Sequence, residues 1–361
     1  MTASPLEALT EIDSICTDDL LRAKMRALLM AYHVRWSSQA FTVLDIEKFS
    51  KSDLYNPETS TKSRTFQMAG KEDILIEEAG KLWQMDHKTC SEDIADPASP
   101  YWKQLVIEGQ HLHYALLEHL NGQRLDGAIW DVMRKPSISP RQISKADQKT
   151  VVASKSYCGG EATEADIVQM QETGRESFHL YECRLFEDAT KERPEWYFQR
   201  QRVARLDNEL LEYSSELWGH TQDLLICRRE NRWPRNSGAC MNYGRPCKFL
   251  GICSGHDTAD SDKWHKKDWV HLELPSVDGD KTQGRGFLTN SRIRCFQTCR
   301  RKHYLDYELG IDRVEEDEAE SLQFGTIWHE VLAVYFKQWK ENYVNASTHV
   351  PASAVGIDSA R

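Results

Sequence analysis

Between Gly70 and Lys88, two runs of strand-forming residues meet at Ala79-Gly80, and this segment constrains the chain more than any other. A tight hairpin closed at that dipeptide sets Asp73 opposite Asp86. Directly opposed residues on one face of an antiparallel pair hold their Cβ atoms roughly 4.5–5.5 Å apart, so two carboxylates are forced together. Like charges at that range are unfavourable unless a cation lies between them, and Lys88, two residues beyond Asp86, projects from the same face of its strand. Two hard oxygen ligands beside an ammonium suit metal-assisted hydrolysis of a phosphodiester, where Mg²⁺ activates water and offsets developing negative charge.

At 361 residues, with 40% hydrophobic and 10% aromatic content, the chain can bury one substantial core. No apolar run approaches the roughly 20 residues of a membrane span, and the first residues lack the basic-then-apolar order of a signal peptide. These features predict a cytoplasmic protein without a membrane partner. Its ten cysteines would then stay reduced, and clustered ones read as metal ligands rather than disulfides. A net charge of −10 argues against a uniformly basic surface for wrapping nucleic acid. Basic residues nevertheless gather locally, as in Arg134–Lys149, Arg228–Arg235, Lys263–Lys267 and Arg292–Lys302. There is no Walker loop, no dinucleotide-binding glycine motif and no nucleophile elbow, which removes the sequence case for an ATPase, a dehydrogenase or a serine hydrolase.

Apolar spacing predicts an amphipathic helix over Asp18–Tyr32, strands over Phe41–Ile46 and Arg64–Met68, and the hairpin of Ile74–Ile76 with Leu82–Met85. A helix face follows from Trp102 to Leu120 and a strand from Leu125 to Met133. Pro136–Arg175 reads as a loop-rich excursion, Phe178–Phe186 as a strand and Val203–Arg229 as a long helix. Phe324–Trp339 repeats apolar residues at helical spacing. The pattern predicts an α/β fold with a mixed central β-sheet flanked by helices. It divides into residues 1–275, a Gly-containing linker at 276–287, residues 288–340, and a polar, disordered tail at 341–361.

Taken together, Gly70-x-x-Asp73, Asp86-x-Lys88, Gln110-x-x-x-Tyr114 and Gly325-Thr326-Ile327-Trp328-His329-Glu330 resemble the RecB-like branch of the PD-(D/E)XK nuclease superfamily, over about Val34–Leu274 and Leu288–Trp339. The resemblance implies a restriction-endonuclease-like core that cuts DNA with Mg²⁺ or Mn²⁺, as a phage or bacterial exonuclease preferring single strands or duplex ends, with a helicase or recombination partner. It implies metal ligands at Asp73, Asp86, the His87 backbone carbonyl and His329. Lys88 would position the attacking water or steady the phosphate. Gln110 and Tyr114, one helical turn apart, can reach one object, either that phosphate or the lysine. Glu47 is a candidate outer-shell acid. The motif order is rotated: the family's Gly-Thr-x-x-His helix comes first, whereas here His329 follows Lys88 by most of the chain. Either the chain is a circular permutant that closes in one molecule, or it joins a gene fragment out of order.

Some members of that branch bind a 4Fe-4S cluster through one cysteine before the nuclease core and three after it. The corresponding cysteines are Cys299, and Cys240, Cys247 and Cys253. Four thiolates would equally hold structural Zn²⁺, although the spacing lacks the paired knuckles of a zinc ribbon. Two non-nuclease readings remain open at this point: a catalytically silent subunit that binds DNA ends, and a cysteine-cluster interaction module.

Overall fold

The hairpin forms in the predicted register. Ile74 pairs with Met85, Ile76 with Trp83 and Glu78 with Lys81. Ala79 and Gly80 both take positive φ, 52° and 74°, the geometry whose twist matches the flanking strands. The computed structural model describes residues 5–242, 245–275, 285–314 and 320–348.

Helices α1 (Leu6–Ile15) and α2 (Asp19–Trp36) open the chain, with the Asp18 side chain capping α2 by accepting from Leu21 N. Three long strands follow: β1 (Thr42–Tyr55), β2 (Lys62–Glu78) and β3 (Lys81–Cys90). The predicted strands at Arg64–Met68 and Ile74–Ile76 are two halves of the single strand β2. Helices α3 (Pro100–Val106) and α4 (Gly109–Leu120) cross over to β4 (Gly127–Arg134), which runs parallel to β3.

An excursion then carries α5 (Lys145–Ser154), the small hairpin β5 (Ser156–Tyr157) and β6 (Gly160–Glu161), α6 (Glu164–Thr173), α7 (Phe178–Glu187) and α8 (Pro194–Tyr197). It has its own apolar cluster around Ile143, Val151, Ile167, Met170 and Leu180. The strand predicted at Phe178–Phe186 is instead helix α7. Ser177 caps it by accepting from Leu180 N, and Leu180, Tyr181 and Leu185 bury one helical face. Strand β7 (Phe198–Ala204) returns antiparallel to β4, and α9 (Asp207–Glu230) follows, so the helix expected from Val203 starts four residues later.

The cysteine-bearing stretch holds β8 (Met241–Asn242), β9 (Arg245–Pro246) and α10 (Leu250–Ser254); β10 (Trp264–Lys266) lies beyond it. Of the expected linker, residues 276–284 lie outside the described residues. Then come β11 (Gly286–Leu288), α11 (Asn290–Thr298), α12 (Arg300–His303), β12 (Ile311–Arg313) and α13 (Glu320–Thr348). Helix α13 continues to Thr348, into the stretch expected as a disordered tail, whose remainder lies outside the described residues.

The sheet runs β1-β2-β3-β4-β7, with β11 added in parallel to the first half of β2. It is a mixed sheet with helices on both faces. On one face, α1, α2 and α13 build the largest core around Met25, Leu28, Tyr32, Trp328 and Phe336. On the other, α4, α9 and α11 close over Phe66, Met68, Leu117, Leu217 and Ile293. Among the described residues, no helix is long and apolar enough to cross a membrane.

Beneath α4, β2 also buries Glu72 beside Glu118. Lys48 donates to Glu118 at 2.6 Å and Ser50 at 2.7 Å, which holds Glu118 ionised against burial. Burial, then the Glu118 charge, pushes Glu72 from 4.5 up to about 9. The folded state therefore binds more protons than the unfolded chain between those values, so stability is fully present below about pH 4.5 and falls as pH rises toward 9. Glu72→Gln should flatten that decline: its urea midpoint should match the parent near pH 4 and exceed it increasingly up to pH 9.

Candidate active site

Just past the last ladder pair, β2 and β3 carry Asp73 and Asp86 side by side. The His87 N–H donates to Asp73 Oδ2 at 2.9 Å. Asp86 is fully buried, and Lys88 Nζ lies 2.6 Å from its Oδ2. Helix α4 supplies Gln110, whose amide nitrogen donates to Asp86 Oδ1 at 2.8 Å while its oxygen accepts from Lys88 at 2.8 Å. One turn on, Tyr114 Oη lies 3.4 Å from the same amide nitrogen. The Tyr114 ring approaches β2 closely because residue 70 is glycine: a Cβ there would lie 2.7 Å from Tyr114 Cε1. From the far end of the chain, α13 brings His329, with Nδ1 3.4 Å from Asp73 Oδ2.

The charges are coupled. Burial opposes ionisation of Asp73, but the His329 imidazole, with help from His87 and Lys88, outweighs it and holds Asp73 well below the usual carboxylate range. Asp86 moves the other way, raised by burial and by the Asp73 charge against the pull of Lys88. Burial would lower Lys88 and His329, yet the two carboxylates raise both. Two adjacent hard-oxygen donors, Asp86 buried and Asp73 at the cleft wall, each already matched by a cationic group, fit a divalent cation by donor chemistry. Among the described residues, however, no three His, Cys, Asp or Glu side chains stand as a ready-made metal group.

Glu47 sits on β1 between the register pairs Ile46–Ile74 and Lys48–Glu72, across from Asp73. It adopts φ 53° and pairs with Lys71. Glu47, Asp73, Gln110, Tyr114 and His329 line one cleft of about 1430 Å³, whose far wall is α11 and α12. The His87 side chain turns away from that cleft. Its Nδ1 lies 3.0 Å from Asp131 Oδ2 and its ring stacks on Phe336.

Behind the site lies a network that sequence reasoning did not single out. Asp131 on β4 takes Arg200 Nε at 3.0 Å and the Tyr32 hydroxyl, and Arg200 also donates to Tyr32 at 2.6 Å. Despite burial, Arg200 and His87 keep Asp131 well below the usual carboxylate range. The signal was present: Asp131 is the one charged residue in Gly127–Met133, a run otherwise apolar and buried throughout.

Cys240, Cys247, Cys253 and Cys299 converge on a separate cavity of about 20 Å³. Burial, then neighbouring Cys247, Cys299 and Cys240, raises the Cys253 thiol. Among the described residues the four cysteines do not stand as a ready-made metal group, so the expected 4Fe-4S cluster is without support.

Residues 288–355 match the PD-(D/E)XK nuclease superfamily. The matched stretch holds His329 but not Asp73, Asp86 or Lys88. It supports that superfamily and a nuclease function, in agreement with the mixed sheet and its flanking helices. No curated protein and no solved structure matches the chain.

Gln110 bridges Asp86 and Lys88, as a supporting hydrogen-bond partner does in metal sites, where such losses typically cost about 10–100-fold. Gln110→Ala should lower nuclease activity by about that factor, with an unchanged circular dichroism spectrum at the assay temperature.

Proposed function

We propose that this chain is a Mg²⁺- or Mn²⁺-dependent deoxyribonuclease of the RecB-like kind, whose motifs are complete but circularly rotated. The observation that carries the reading is the approach of His329 to Asp73 at 3.4 Å, across most of the chain length. The rotated order is further supported by β11 pairing with β2 and by α13 packing into the same core as α2. Single strands or duplex ends as substrate, exonuclease action and a helicase or recombination partner rest on the resemblance alone.

Asp73 and Asp86, with His329 at their edge and the His87 carbonyl as a further oxygen, would hold the metal. When bound, the ion supplies Lewis acidity to water and phosphate. Gln110 fixes Lys88 with its ammonium toward Asp86, where it can orient the attacking water and stabilise charge on the phosphate. Tyr114, with its hydroxyl pushed well above its ordinary value by burial and then by Asp86 and Asp73, stays neutral and serves as a donor.

Asp86→Ala and Lys88→Ala should each abolish Mg²⁺- or Mn²⁺-dependent degradation of labelled DNA while both variants remain folded. Cutting at the parental rate by both would sink the assignment, and a parent that binds DNA ends without cutting would identify a silent end-binding subunit.

The four cysteines are proposed as a structural metal site independent of catalysis, whose thiols draw together on binding, and four thiolates suit tetrahedral Zn²⁺. Metal and sulfide analysis of anaerobically purified protein should find about one zinc per chain; iron with acid-labile sulfide would restore the cluster reading.

A further inference from the structure

A second cavity, of about 310 Å³, opens beside the catalytic cleft. Two features tie it to the site. Glu108 and Gly109 form part of its wall, and the next residue is Gln110, which holds both Asp86 and Lys88. Neighbouring Cα atoms lie 3.80 Å apart, so this wall begins within one residue of the catalytic machinery. Asn290 and Arg294 on α11 line both cavities.

The wall chemistry is two-sided. Ile107, 81% exposed, and Leu112 give apolar surface above a floor formed by the buried core residues Leu217 and Ile293. The ring of Tyr213 joins them, fixed by its hydroxyl, which lies 3.0 Å from His113 Nδ1. Around the rim stand hydrogen-bonding groups: Gln104, and Gln297 with its amide nitrogen 2.7 Å from His220 Nε2. Apolar faces with a polar edge are what an unstacked base requires, since its ring packs on side chains while its edge is read by amides. Arg294, paired with Glu108 at the shared wall, puts a cation where the backbone joining a seated base to the cleft would pass.

Building on the nuclease reading, we propose that this cavity seats a nucleobase of the strand being cut, at a nucleotide flanking the reacting phosphate. A base has to leave its stack to enter, which makes the cavity a determinant of preference for unpaired DNA. A partner protein's side chain would find the same apolar walls, but nothing would tie it to Asn290 and Arg294, where the two cavities meet.

The test uses the full chain in buffer without added divalent cations and compares its affinity for a fluorescent single-stranded oligonucleotide with that for an abasic oligonucleotide of equal length. Base stacking is worth about 1–3 kcal/mol, so the parent should favour the base-bearing strand by about tenfold. Gly109→Leu fills the cavity from its wall: a Cβ there meets Tyr213 Cε2 at 3.5 Å and Asn290 Oδ1 at 3.9 Å, ordinary contacts. Ile107→Asn alters the exposed mouth without adding charge, where folding is not at stake. Both variants should bring the ratio toward one while leaving abasic binding and its salt dependence unchanged. A parental ratio near one, variants that keep the parental ratio, or equal losses on both oligonucleotides in variants that melt like the parent would each overturn the base pocket and leave the nuclease reading standing. A parent that neither binds nor cuts DNA would remove the nuclease reading and the pocket with it.

Discussion

Two carboxylates held side by side, one fully buried and the other at the cleft wall, are the constraint around which the rest of this molecule is arranged. Asp86 is fully buried, and breaking a buried pair by removing one partner typically costs about 3–5 kcal/mol because a charge is left uncompensated. Lys88 answers Asp86 from the same strand, and His329 answers Asp73 from the other end of the chain. Behind them, Asp131 and Arg200 form a second compensated pair. His87 belongs to both layers: its backbone N–H serves Asp73 and its imidazole lies against Asp131. The site is thus anchored in the sheet rather than carried on loops, which suits chemistry that depends on fixed positions of charge.

The long strand β2 makes this possible. Its first half pairs with β1 and β11 and its second half with β1 and β3. Asp73 lies where the second partner changes from β11 to β3, so the sheet opens there and gives the carboxylate access to the cleft. Helices α4 and α13 approach from opposite faces of the sheet, and the missing side chain at Gly70 lets Tyr114 settle against the strand.

The cleft wall carries both signs, with Lys71, Lys135, Arg294, Lys302 and Lys337 among Glu11, Glu47, Asp73, Glu273, Asp306 and Glu330. Several of the acids around it are already engaged: Glu47 with Lys71, Glu273 accepting from Thr289, and Asp306 with Lys267. Lys302 and Lys337 line the same cleft and carry their charge into it. Net charge describes the far field, whereas a strand within a Debye length of about 8–10 Å responds to these local groups.

The hairpin register, the facing of Asp73 and Asp86, and the helical spacing of Gln110 and Tyr114 were legible in the sequence because each depends on a short-range period, two residues in a strand and about four in a helix. The α7 segment was misread as a strand because its apolar positions fit either period, and only the Ser177 cap and packing against α2 decide between them. Asp131 stood out by composition, but its partners Arg200 and Tyr32 come from distant segments with no local pattern to connect them. By itself, then, the sequence determined which acids would face each other and which lysine would accompany them. Tertiary structure alone decided that His329 reaches Asp73, that four scattered cysteines converge, and that a second cavity opens beside Gln110, because contacts between distant segments depend on how whole elements pack rather than on the spacing of residues along any one of them.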